Sequence, residues 1–236
     1  MMTTVAKRAV RGKFITFEGL DGCGKTTQLE KLAAVLRGQG IDVVTTREPG
    51  GTDIGERIRA VLLDSRTAGL DAHAEMALMF ASRAQLIAQV ILPALAAGQW
   101  VLCDRFTDST EAYQGGGRRL GSDAVLRLHQ VLCRDLWPDL TILMDTDATA
   151  SVARARRRNK AATQVVGSSA AKRAHLGGQP DENRFEKESH AFFERVRNAF
   201  LEIARRDPQR VVLTDARPPV AVVHRQIVRA VRERLM

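Results

Sequence analysis

The chain has 236 residues, 44% apolar and 27% charged, a length that suits one α/β domain with its own core. No stretch approaches the roughly 18 consecutive apolar residues of a membrane helix, so we expect no membrane partner. The three cysteines, Cys23, Cys103 and Cys133, are odd in number and widely spaced, which indicates free thiols and a cytoplasmic protein.

Segments with strand and helix patterns alternate along the whole chain. Strands are predicted at residues 13–17, 42–46, 100–103, 140–144 and 210–213, and helices at residues 25–39, 75–97 and 220–235. This alternation predicts βαβ units and a mainly parallel five-stranded sheet flanked by helices. Ligands bind at the carboxyl ends of the strands in such sheets, so the motifs there are the candidates for chemistry.

Residues 159–183 break this alternation. They are rich in Ala, Gly, Ser and Gln and have no sustained period, which predicts a mobile surface loop within the domain. We expect a single domain at residues 12–236, preceded by a flexible extension at residues 1–11.

The net charge of +9 permits nucleic acid, an anionic membrane or small polyanions such as nucleotides as partners. Part of the excess lies in one block: Arg154, Arg156, Arg157, Arg158 and Lys160. No aromatic residue lies within that block, so a stacking platform for single strands is poorly supported. We expect no stable binding to nucleic acid.

Residues 19–26 read GLDGCGKT, a complete G-x-x-x-x-G-K-[ST] phosphate loop between a predicted strand and a predicted helix. Lys25 is expected to reach the β- and γ-phosphates of ATP, and the Thr26 hydroxyl to bind Mg²⁺. The motif predicts a three-layer P-loop NTPase fold. The predicted ATP-binding residues are Gly19, Leu20, Asp21, Gly22, Cys23, Gly24, Lys25, Thr26 and Thr27.

Two features favour a kinase over other P-loop proteins. The sequence contains no Asn-Lys-x-Asp motif, the guanine-binding element of GTPases. The strand predicted at residues 100–103 leads into Asp104-Arg105, where a motor ATPase would carry an Asp-Glu pair. An acid followed by a base suits a metal-linked phosphate beside a second phosphate.

Six further stretches carry a family resemblance. They are FITFEG at residues 14–19, TREPGGT at 46–52, FASRAQ at 80–85, DRF at 104–106 with STEAYQG at 109–115, PDLT at 138–141, and TDA at 214–216. With them, the chain resembles the bacterial thymidylate kinases from about residue 13 to its C-terminus. The resemblance implies Mg²⁺-dependent transfer of phosphate from ATP to dTMP, giving dTDP. Relatives are commonly homodimers, and we expect the same here.

The resemblance also assigns roles at the acceptor phosphate and sugar. It implies that Asp21 holds the sugar 3′-hydroxyl and that Arg105 clamps the acceptor phosphate with its planar guanidinium. Asp104 would help to order Mg²⁺. Tyr113 would lie under the sugar and exclude a ribose 2′-hydroxyl.

At the base, the resemblance implies that Phe80 stacks on thymine and that Arg83 bonds a ring carbonyl. Met79 would take the stacking place if the register shifts by one residue. Thr110 would bond the polar edge of the base. Glu48 and Gln114 complete the predicted dTMP site.

A cation must also cover the phosphoryl group during transfer. The phosphate loop has Gly22-Cys23 where some relatives carry an arginine, so the cation must come from elsewhere. In bacterial relatives a lid supplies it, and the corresponding region here is about residues 154–186. Arg158 and Arg184 are the candidates.

Two other functions remain possible from the sequence. A kinase for another nucleoside monophosphate would share the phosphate loop and Asp104-Arg105. An ATP-binding regulatory or nucleic-acid-binding module would use the basic block but would not need Asp104-Arg105.

Overall fold

The computed structural model describes residues 11–149, 151, 153, 154, 157 and 184–236. Five strands form one fully parallel sheet in the order β2-β3-β1-β4-β5. They are β1 (Phe14–Glu18), β2 (Val43–Arg47), β3 (Trp100–Asp104), β4 (Leu140–Asp145) and β5 (Val211–Asp215). The predicted five-stranded α/β sheet is therefore confirmed, with strand boundaries that differ from the predicted ones by at most two residues.

The helices are α1 (Lys25–Gly38), α2 (Asp53–Leu63), α3 (Ala72–Leu86), α4 (Leu92–Ala96), α5 (Thr107–Thr110), α6 (Ser122–Leu132), α7 (His190–Arg206) and α8 (Val220–Leu235). The helix predicted at residues 75–97 begins earlier, because the Asp71 side chain accepts hydrogen bonds from the first-turn amides and caps α3. A π-helical segment, Ile87–Ile91, separates α3 from α4, and a second one, Glu111–Gly117, follows α5.

Helices cover both faces of the sheet. On one face, Ile15 and Phe17 of β1 pack with Leu32 of α1 and Ile227 of α8. Phe14 and the α3 helix pack on the other face. Each fully buried side chain of this size contributes about 1.5–3 kcal/mol to folding. These two cores fix the carboxyl end of β1, from which the phosphate loop leaves.

The run Ala72–Ala96 is long and apolar enough to cross a membrane, with a mean hydropathy of 1.5, and is the one such helix within the described ranges. It carries buried Glu75 and Arg83, and its apolar residues Met76, Phe80 and Leu86 belong to the core. Packing inside the domain accounts for part of this apolarity, since 44% of the most apolar window of the run is buried.

Residues 1–10 of the predicted extension, and all of the predicted loop at 159–183, lie outside the described residues. Arg11, predicted to end the extension, forms an ion pair with Asp139 (Nη1–Oδ2 3.0 Å). This contact ties residue 11 to the start of β4.

Candidate active site

The phosphate loop connects β1 to α1 around a buried lysine. Lys25 Nζ donates hydrogen bonds to the carbonyls of Gly19 (3.0 Å) and Leu20 (2.9 Å). These bonds hold the loop closed around the Lys25 amino group. Gly19 has φ +128°, and a Cβ there would lie 2.3 Å from the Met144 carbonyl oxygen. Only glycine fits this position, and a glycine turn before a helix lets backbone N–H groups face a bound phosphate.

Thr26, at the start of α1, meets Asp104, at the end of β3. The Thr26 hydroxyl donates to Asp104 Oδ2 over 2.7 Å. A hydroxyl and a carboxylate at this spacing are the hard oxygen ligands that Mg²⁺ prefers beside phosphate. The predicted metal pair is therefore brought together at the sheet edge.

Two cavities open at this edge and share four lining residues: Asp21, Glu48, Arg59 and Arg105. The first, here called the donor cavity, contains the phosphate loop; its other lining residues are Gly22, Gly24, Lys25, Thr26, Thr27, Arg47, Asp104 and Arg154. The second, here called the acceptor cavity, is also lined by Pro49, Leu63, Met79, Arg83, Ser109, Thr110, Tyr113, Gln114 and Phe185.

Arg105 is the centre of the shared wall. Its backbone has φ 74°, a left-handed conformation that a non-glycine residue adopts at an energetic cost of order 1–3 kcal/mol. Nη2 donates to Asp21 Oδ1 (2.7 Å), and Nη1 donates to Ser109 Oγ (2.8 Å). Burial favours a raised pKa for Asp21, but Arg105 and then Lys25 outweigh it and hold the pKa of Asp21 below its usual range.

A second buried arginine lines the acceptor cavity. Arg83 Nε donates to Glu48 Oε2 (2.7 Å), and Nη2 donates to Thr110 Oγ1 (2.9 Å). Burial raises the pKa of Glu48 to about 7 despite the opposing charge of Arg83. Arg83 Nη1, Glu48 Oε1 and Gln114 Oε1 are buried without hydrogen-bond partners within the described part of the chain. Such groups are costly unless a ligand satisfies them, so they indicate a polar ligand in this cavity.

Tyr113 lies beside the shared wall. Its hydroxyl donates to Asp21 Oδ2 (3.1 Å), and its ring packs edge-on against Phe185 at 5.6 Å between centroids. Burial raises the pKa of Tyr113 well above its ordinary value, so the hydroxyl stays protonated as a donor. The ring therefore occupies a fixed place next to the predicted sugar position.

The placement of Phe80 differs from the prediction that it stacks on a base. Its exposed fraction is 0%, and it packs in the core with Phe14 and Phe106. The cavity wall is formed by Met79, one residue earlier and about 100° around the helix. The alternative register, with Met79 in the stacking place, fits the structure.

Arg184 also differs from its predicted role. It is 4% exposed and pairs with Glu75 (2.6 Å), and it lines neither cavity. Its guanidinium is turned inward by the Leu62 carbonyl and by Glu75, away from the phosphate loop. Arg158 lies outside the described residues.

Arg154 of the basic block lines the donor cavity instead. Its Nη2 donates to Thr146 Oγ1 (3.0 Å), and its Nε is buried without a partner within the described ranges. Among the described arginines of the block, it is the one that faces the phosphate loop.

A buried carboxyl beneath the site was not predicted. Glu18 accepts hydrogen bonds from Phe106 N (2.7 Å) and from the Ser109 hydroxyl (2.5 Å). Burial, and then the charge of Asp108, raise the pKa of Glu18 to about 8. Through Ser109, Glu18 supports the side chain of Arg105.

Comparisons with known proteins give the family of the chain. The family model described as Thymidylate kinase matches residues 17–166. The chain belongs to the thymidylate kinase family. A thymidylate kinase of Magnetococcus marinus is 45% identical over 225 residues, covering 95% of this chain and 98% of that protein. One of Pseudomonas entomophila is 48% identical over 216 residues, covering 92% and 93%.

A crystal structure of thymidylate kinase from Ehrlichia chaffeensis has a TM-score of 0.69 and 30% identity, covering 94% of this chain and 99% of that one. The α/β fold expected of a thymidylate kinase is thereby confirmed, as is the resemblance inferred from the sequence motifs.

Arg59 is a lining residue that was missed because its helix was not predicted. Arg59 lies on α2, lines both cavities and donates through Nη1 to the Pro49 carbonyl (2.9 Å). The signal for α2 was present, since Thr52 caps the helix by accepting from Gly55 N. A capping threonine followed by acidic residues predicts a helix start and would have placed Arg59 two turns later.

Proposed function

We propose that the chain transfers the γ-phosphate of ATP to the phosphate of dTMP, giving ADP and dTDP. The observation that carries this proposal is the wall shared by the two cavities, in which Asp21 and Arg105 stand between the phosphate loop and the cavity that Arg83 and Gln114 line. A donor and an acceptor phosphate would meet at Arg105.

The acceptor cavity has the polarity of a thymine edge. Arg83 Nη1 is a buried donor and Gln114 Oε1 a buried acceptor, and neither has a hydrogen-bond partner within the described residues. They match the C4 carbonyl and the N3–H of thymine. Met79 and Leu63 supply an apolar surface for the ring. Thr110 would act through Arg83, since its hydroxyl already accepts from that guanidinium.

The sugar and phosphate would lie along the shared wall. Asp21, held as a carboxylate, would accept from the 3′-hydroxyl, and the Tyr113 ring would occupy the space of a ribose 2′-hydroxyl. Arg105 and Arg59 would face the acceptor phosphate, where a planar guanidinium can donate two parallel bonds.

The transfer itself needs alignment and charge neutralisation more than a general base. Lys25 and the loop amides would hold the donor phosphates, and Arg154 would cover the phosphoryl group in flight. Thr26 and Asp104 fit a magnesium ion, which when bound supplies positive charge to the β- and γ-phosphates.

The cellular setting and assembly belong to the same proposal: a cytoplasmic enzyme, a homodimer, with no stable binding to nucleic acid. Exposed apolar residues on two helices support a homodimer, among them Ala77 and Ala81 of α3 and Val131 of α6, which is 75% exposed. We also propose one kinase domain at residues 12–236.

The test is ADP formation from ATP and Mg²⁺ with dTMP, dUMP, ribothymidine monophosphate, AMP or CMP as acceptor, with Lys25→Ala as the control. We expect a strong preference for dTMP that the control abolishes. Equal rates with AMP or CMP would favour a kinase for another nucleoside monophosphate. ATP turnover that ignores every acceptor would favour a regulatory module.

A further inference from the structure

Gln114 holds its side-chain amide in one orientation at the wall of the acceptor cavity. The side chain is 1% exposed, and Nε2 lies 2.7 Å from Glu75 Oε1. A carboxylate only accepts hydrogen bonds, so the NH₂ group must face Glu75 and the carbonyl must face away. Gln114 Oε1 is the atom left unpartnered in the described structure.

Glu75 is paired with two guanidinium groups. It has no exposed surface, and its Oε2 lies 2.6 Å from Arg184 Nη1 and 3.1 Å from Arg118 Nη2. A buried charge is tolerated when it is paired and its lone pairs are satisfied, as here. Gln114, Arg118 and Arg184 all donate to Glu75, so Glu75 acts as an acceptor and does not donate to the Gln114 carbonyl.

We propose that Glu75 is a positioning residue that determines which pyrimidine edge the acceptor cavity binds. This inference rests on the proposed function. With its NH₂ bound to Glu75, Gln114 can offer only an acceptor to the base. Thymine presents an N3–H donor at that position, whereas cytosine presents a bare N3 acceptor, which would face a second acceptor. Glu75 thereby selects an imide base without touching it.

Arg83, which lines the same cavity, is likewise oriented by a buried glutamate. Arg83 is fixed by Glu48 through its Nε, which leaves Nη1 free to donate to a ring carbonyl. Two buried glutamates, Glu48 in the cavity wall and Glu75 behind it, thus orient one donor and one acceptor. Glu75 orients the Gln114 carbonyl, so its loss should weaken recognition of the base N3–H and leave recognition of the ring carbonyl by Arg83 in place.

The deciding variant is Glu75→Gln, which keeps the shape of the side chain. Its amide can donate to Gln114 Oε1, so Gln114 can turn over and present NH₂ to the base. The measurement is kcat/KM for dTMP and for 5-methyl-dCMP, two acceptors that differ only at the edge concerned. We expect their ratio to fall by about tenfold, the contribution of one hydrogen bond. The KM for ATP should stay unchanged.

Arg118→Gln is the matched control, because it removes one partner of Glu75 but leaves the Glu75–Gln114 contact in place. A lower Tm with an unchanged ratio is expected for it. If Glu75→Gln alone does not fold, the double variant Glu75→Gln with Arg118→Gln reduces the uncompensated charge and is expected to show the same loss of preference.

A folded Glu75→Gln chain that keeps the native ratio would overturn the proposal and leave Glu75 a purely structural role. So would a native chain that phosphorylates 5-methyl-dCMP as well as dTMP, since Gln114 would then not be fixed as an acceptor. Absence of any dTMP-dependent ADP formation by the native chain would instead contradict the proposed function.

Discussion

Asp21 of the phosphate loop and Arg105 at the end of β3 are joined across the boundary of the two cavities, with Asp21 Oδ1 2.7 Å from Arg105 Nη2. The pair ties the loop that would bind ATP to the residue that would bind the acceptor phosphate. Arg105 also donates to the Gly19 carbonyl (3.1 Å), so one guanidinium bridges both sides of the transfer.

Arg105→Lys should lower kcat/KM for dTMP by about a hundredfold, because a point charge cannot replace a guanidinium that donates in two directions. The KM for ATP should change little. Steady-state kinetics at saturating ATP measure this effect. Arg229→Lys, on the exposed side of α8, is the control and should behave as the native chain does. An Arg105→Lys enzyme with native kinetics would contradict the assignment of the acceptor phosphate to Arg105.

Truncating Met79 and truncating Phe80 should have different effects, one on dTMP binding and the other on stability. Met79→Ala removes part of the cavity wall and should raise the KM for dTMP by about tenfold with a small change in Tm. Phe80→Ala empties a fully buried position and should cost about 3–5 kcal/mol of unfolding free energy. Thermal unfolding and dTMP titrations distinguish the two. The reverse pattern would restore Phe80 as the stacking residue.

Arg154→Gln should lower kcat by roughly a hundredfold or more, as expected for a cation that neutralises charge in phosphoryl transfer. Its Tm should remain close to the native value, because the side chain is only partly buried. Arg157→Gln, exposed on the same basic block, is the matched control. A native rate for Arg154→Gln would move this role to another arginine.

The sheet and the phosphate loop were predictable because their signals are local. Buried parallel strands are short apolar runs, and the glycines of residues 19–26 occupy backbone conformations that other residues avoid. The carboxyl-end rule then placed Asp104 and Arg105 beside the loop, where the structure has them.

The two differences between predicted and observed placement, at Phe80 and Arg184, come from side-chain direction, which tertiary packing decides. Phe80 and Met79 are adjacent on one helix, and only the position of α3 on the sheet determines which of them faces the cavity. The direction of Arg184 also depends on tertiary packing, because its ion-pair partner, buried Glu75, is 109 positions away in sequence. Neither contact can be predicted from the local sequence.

Glu18 should make the stability of the native chain depend on pH. Its pKa is about 8 in the folded chain against an ordinary value of 4.5, because burial and the charge of Asp108 disfavour the carboxylate. The folded state therefore holds this proton more tightly than the unfolded state does. The stabilisation is fully present below about pH 4.5 and is lost as the pH rises towards 8.

Glu18→Gln isolates this effect, because glutamine cannot ionise while Glu48, with a raised pKa of about 7, titrates in both chains. Between pH 5 and pH 8 the Tm of the native chain should fall relative to that of Glu18→Gln, with the gap widening towards the upper end. Thermal unfolding of both chains across this window measures the gap. A constant difference in Tm would mean that Glu18 does not change its charge there and that Ser109 is held by a carboxylate throughout.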